Sequence, residues 1–129
     1  MRVLALDHGS ARTGVAVSDA SGTLARPVCV VKKAGSEPGL LEVARLVTEH
    51  EAERVVVGWP LTLRGAPGKQ AAETEIFVTA LRALVSVPVE TADERFTTAL
   101  AQRFGGSAPQ DAVAAAHLLQ SWLDRKARA

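Results

Sequence analysis

The first 31 residues hold three runs of strand character, at 3–6, 13–18 and 27–31, separated by gaps too short to contain a helix. Short turns of this kind can join only antiparallel neighbours, so the chain is committed at its outset to a three-stranded meander. The pattern then changes. Leu40, Leu41, Ala44, Val47 and Thr48 recur at helical spacing after Ser36-Glu37-Pro38, which predicts a helix over 38–50. Residues 54–58 read as a buried strand, 69–84 as a helix with Ala72, Ile76, Ala80 and Leu84 on its apolar face, and 87–91 as a further strand. Helices over 96–104 and 110–123 complete the order. Strands joined through helices lie parallel, with right-handed crossovers, so the expected class is α/β: a five-stranded mixed sheet with helices on both faces.

A chain of 129 residues, 47% hydrophobic and 22% charged, is expected to form one domain over 1–129. At this length roughly two thirds of the unfolded surface can be buried, so no disulfide or structural metal is needed. The single cysteine, Cys29, lies in the apolar run Val28-Cys29-Val30-Val31 and reads as a small buried hydrophobe in a reducing compartment. The N-terminal apolar run is too short for a signal sequence or a membrane span, so a cytoplasmic protein with no membrane partner is expected. Fifteen basic against fourteen acidic residues give a net charge of +1, which neither requires nor excludes a nucleic-acid partner. The distribution is uneven: Glu37, Glu42, Glu49, Glu51 and Glu53 crowd one segment, whereas Arg12, Arg64, Lys69, Arg95 and Arg103 flank the acidic motifs. Those cations could be ordinary solvated surface or a phosphate-binding face. With 4% aromatic residues and no tyrosine, the chain is poorly equipped for base stacking, and Trp59 and Trp122 read as packing residues.

Carboxylates recur at one predicted edge of the sheet. Asp7 ends an all-apolar strand and opens the turn His8-Gly9-Ser10-Ala11-Arg12-Thr13-Gly14, at the carboxyl end where α/β sheets bind ligands. A parallel strand later runs into Asp93-Glu94-Arg95, bringing a second acid to the same edge. Asp111 stands in the first turn of the last helix, above a stripe of Ala114, Ala115, Leu118, Leu119 and Trp122. A helix N-terminus offsets only about 0.3–1 kcal/mol of the cost of turning a charge toward a core, and a bound cation would supply the rest. Hard divalent ions take oxygen ligands, so three acids from separate elements match magnesium chemistry; histidines and cysteines at zinc spacing are missing. Each acid also has a plain alternative: Asp7 could pin its turn, Asp111 could cap its helix, and Glu94 could pair with Arg95. His8 could act as a base or stand by. The Asp-x-Gly-x(4)-Gly turn is also similar to the phosphate loop of actin-like ATPases and sugar kinases, which close two domains around ATP where this chain has room for one.

Four segments in order resemble the YqgF/RuvX family, named for pre-16S rRNA maturation and Holliday-junction resolution: residues 4–19 from Leu4-Ala5-Leu6-Asp7, Val56-Val57-Gly58-Trp59-Pro60-Leu61-Thr62, Asp93-Glu94-Arg95-Phe96-Thr97-Thr98, and residues 110–124 from Gln110-Asp111. Ala11, Trp59, Thr62, Arg64 and Gln110 depart from the usual pattern, all of them away from the acids. The resemblance implies an RNase H-like fold and a metal-dependent endonuclease. Asp7, Glu94 and Asp111 would hold one or two Mg2+ or Mn2+ ions, while Arg12, Arg64, Lys69 and Arg95 would grip phosphate. Precursor rRNA or branched DNA would be the partner, met by a monomer or weak homodimer; a non-catalytic nucleic-acid-binding module is the contrasting reading.

Overall fold

The computed structural model describes residues 1–9, 11–59, 69–93 and 110–128, with the side chains at 59, 69–71, 93, 110 and 128 outside that description. Its elements are β1 (Val3–His8), β2 (Arg12–Ser18), β3 (Ala25–Lys32), α1 (Glu37–Glu49), β4 (Arg54–Trp59), α2 (Lys69–Leu84), β5 (Val89–Asp93) and α3 (Gln110–Arg128). They build one five-stranded sheet in the order β3-β2-β1-β4-β5. As expected, β1, β2 and β3 are antiparallel neighbours, while β4 and β5 run parallel to β1. The helix expected over 96–104 lies outside the described residues.

The strand register sorts side chains between two cores. Leu4, Leu6, Val15, Val17, Val55 and Val57 point to the face covered by α1 and α2. Val3, Ala5, Ala16 and Val56 point to the opposite face, under Ala115, Ala116, Leu118, Leu119 and Trp122 of α3. The second core is rich in alanine, which lets α3 sit close to the sheet. At the outer edge, the register between β2 and β3 shifts at Val15/Ala16, and Pro27, which has no N–H to donate, pairs just beyond that irregularity. Proline also explains why β5 begins two residues later than predicted: Pro88 can only accept, and its carbonyl takes the Val55 N–H at 2.9 Å.

Two helix faces differ from expectation. In α1, Ser36 caps the N-terminus by accepting the Gly39 N–H at 3.2 Å, but Val43, Leu46 and Val47 are buried while Leu41 and Thr48 face outward. In α2 the core-facing stripe is Thr74, Phe77, Val78 and Leu81; Ile76 is 71% exposed and Leu84 47%. Apolar residues lie on both sides of α2, so periodicity alone does not choose, and the larger stripe, carrying Phe77, takes the core. Phe77→Ala is expected to cost about 3–5 kcal/mol in chemical denaturation, against less than about 0.5 kcal/mol for Ile76→Ala. Comparable losses would mean that both faces are buried in solution. Among the described residues, no helix is long and apolar enough to cross a membrane.

Candidate active site

Strand alternation places Asp7 on the α3 face, in step with Val3 and Ala5, while His8 turns to the other side. Gly14 is paired directly with Asp7 across β1 and β2. Cross-strand partners share a face, so the missing Gly14 side chain also points at α3. A Cβ there would lie 1.8 Å from the Asp111 carbonyl oxygen, 2.3 Å from its carbonyl carbon and 2.9 Å from the Ala112 nitrogen. The first turn of α3 therefore rests on the bare backbone of Gly14, and that contact brings Asp111 to the end of the strand carrying Asp7.

Arg12 opens β2 on the same face, and its Nε lies 3.2 Å from Asp111 Oδ2, with the two side chains 65% and 37% exposed. Lys32 stands opposite Arg12 in β3, exposed and on the same side. It was absent from the expected binding residues because nothing local marks it; only the register between β2 and β3 delivers it to this edge. Of the remaining expected residues, Lys69 opens α2 with its side chain undescribed, and Arg64, Glu94, Arg95 and the 60–68 connection lie outside the described residues.

Two nearby groups belong to the scaffold. His8 is 5% exposed, its Nδ1 is 3.1 Å from Thr74 Oγ1, and its ring stacks on Phe77 at 4.4 Å and 9°. Burial pushes its pKa below the ordinary histidine value, against the raising influence of Glu73 and Asp7. The sheet thus separates its ring from the face that carries Asp7. Glu90 does share the α3 face, but its carboxylate is already matched, accepting from Arg54 at 2.6 Å and from the Trp122 indole N–H at 2.8 Å. Trp122 is 6% exposed, which agrees with a packing role.

The donor set at the edge fits a hard divalent cation: oxygen ligands from separate elements, held by backbone contacts rather than by each other. Among the described residues no group of three His, Cys, Asp or Glu side chains is gathered. Asp7 and Asp111 would contribute two carboxylates, and the expected third, Glu94, falls outside the description.

Sheet order, the antiparallel β2 and the helix laid across β1 define an RNase H-like fold. Thermus thermophilus RuvC, solved in complex with a Holliday junction substrate, superposes with a TM-score of 0.67 over 98% of this chain and 96% of that chain, at 17% identity. The chain belongs to the RuvX family, whose model, described as a Holliday junction resolvase, matches residues 1–125. Relatives from Chloroflexus aggregans and Rhodococcus erythropolis are both 42% identical, covering 96% and 99% of this chain and 94% and 80% of their own lengths. Each bears the name "Putative pre-16S rRNA nuclease". The family is one of nucleases, so this chain is a hydrolase of phosphodiester bonds.

Proposed function

We propose that the chain is a cytoplasmic, metal-dependent nuclease that matures the 5′ end of precursor 16S rRNA, with Asp7, Glu94 and Asp111 holding Mg2+ or Mn2+. The observation that carries this reading is Gly14, which is paired with Asp7 and in contact with the backbone of Asp111. Glu94 follows Asp93, the last residue of β5, directly in the sequence. A bound divalent ion would lower the pKa of an attacking water and stabilise the leaving oxygen. Asp7 is offered from the central strand β1, where it pairs with Gly14 of β2, and Asp111 is held by the seat of α3 on that glycine. Arg12 and Lys32 add positive charge where a phosphate backbone would approach, joined by Arg64, Lys69 and Arg95 in this reading.

A second reading, resolution of four-way DNA junctions, is favoured by the outward apolar face of α2. That face carries Ile76 and Leu84, both exposed to solvent. Junction resolution needs two sites at fixed spacing and hence a dimer, whereas trimming an RNA end needs one. Purified protein should be incubated with labelled 16S precursor RNA and with a labelled four-way junction, in Mn2+ and in excess EDTA, beside a measurement of oligomeric state. Manganese-dependent cleavage of the RNA, faster than of the junction, is the expected result. Paired symmetric nicks by a stable dimer, faster than RNA cleavage, would establish the second reading; full cleavage in EDTA would remove the metal from both.

A further inference from the structure

We propose that Arg12 is a counter-ion latch, closing on Asp111 before substrate arrives and opening onto a substrate phosphate, so that metal and nucleic acid bind cooperatively; this rests on the metal-site reading above. The geometry has three parts. Arg12 Nε is 3.2 Å from Asp111 Oδ2, one of the carboxylates that would hold the ion. The Arg12 side chain is 65% exposed, so little packing holds it and it can swing outward at little cost. Lys32 lies opposite it in β3, an exposed like charge across the ladder from Arg12. With a like charge across the ladder and a carboxylate within ion-pair distance, the guanidinium settles on Asp111 when nothing else is bound.

Consequences follow from charge alone. A cation held against Asp111 lowers the affinity of that carboxylate for a divalent ion. A phosphate that draws Arg12 away restores that affinity and gains an ion-paired arginine. Linkage then requires the converse: the ion, by repelling Arg12 from Asp111, readies it for phosphate, and each ligand tightens the other by the same factor. A surface ion pair is weak, and that suits a latch that must open.

The test measures Mn2+ binding by calorimetry on wild type, Arg12→Gln, Arg12→Lys and Arg125→Gln. The last removes the same charge from α3 about 20 Å from Asp111 along the helix axis. Without nucleic acid, Arg12→Gln is expected to bind Mn2+ about three- to tenfold more tightly than wild type, the scale of one charge a few ångströms from a divalent ion in near-water dielectric. Arg12→Lys should fall close to wild type, and Arg125→Gln should match it. Adding a cleavage-resistant phosphorothioate oligonucleotide, as RNA and as DNA, should tighten Mn2+ binding to wild type and have much less effect on Arg12→Gln. The dependence of oligonucleotide binding on salt should flatten by about one ion in Arg12→Gln. Equal Mn2+ affinities in wild type and Arg12→Gln would overturn the latch while leaving the metal site standing. Undiminished Mn2+ binding in both Asp7→Asn and Asp111→Asn would overturn the metal site, and the latch with it.

Discussion

Gly14→Ala is expected to cost about 3 kcal/mol of stability, roughly 10 °C in melting temperature, and to abolish the stabilisation that Mn2+ confers. The added methyl would occupy the place of the Asp111 carbonyl, 1.8 Å from its oxygen. Both atoms in conflict are backbone, so no rotamer change relieves the clash. The first turn of α3 has to lift, and Asp111 moves away from Asp7. Gly35→Ala is the matched control, because a Cβ there meets nothing within 4 Å. Thermal denaturation of both variants, with and without Mn2+, separates the two effects. A Gly14→Ala protein that melts within about 2 °C of wild type and still responds to Mn2+ would refute the close contact between α3 and β2.

Asp7→Asn is expected to lower the cleavage rate by about a thousandfold or more while leaving metal-free stability unchanged. The amide keeps the shape and removes the charge that attracts a divalent ion, and such an ion contributes several kcal/mol of transition-state stabilisation, at about 1.4 kcal/mol per tenfold in rate. Among the described residues Asp7 makes no ion pair, so neutralising it removes no stabilising contact from the metal-free protein. Single-turnover cleavage together with melting curves would check both halves. A loss of several degrees in the metal-free melting temperature would assign Asp7 a structural role instead. Glu94→Gln should behave like Asp7→Asn, and Asp93→Asn should retain activity. The reverse outcome would mean that Asp93 supplies the third carboxylate.

Asp7 and Glu90 show where sequence reasoning reaches its limit. Both are acids on strands, and both face α3. Glu90 is paired with the Arg54 guanidinium, 36 residues away, and accepts a hydrogen bond from the Trp122 indole N–H, 32 residues away. Nothing in the run Val87-Pro88-Val89-Glu90 announces those partners. Asp7 stood out for a local reason: it ends an unbroken apolar strand and is followed by a glycine-containing turn. Its separation from His8 emerged only once β1 was seen to run through His8, since adjacent strand residues point to opposite faces.

The order of the described elements, the antiparallel meander and parallel crossovers, the edge at which Asp7 and Asp111 stand and the family to which the chain belongs were determined by the sequence itself. Those properties depend on local periodicity, short turns and motifs, each contained within a few consecutive residues. Only the tertiary structure decided which apolar stripe of α2 is buried, that Lys32 faces Arg12, and that α3 rests on Gly14. These depend on register and helix rotation, set by packing between segments far apart in the chain. Gly14 and Asp111, separated by about three quarters of the sequence, meet because alanine-rich surfaces on β1, β2 and α3 allow an approach closer than any side chain at residue 14 would permit.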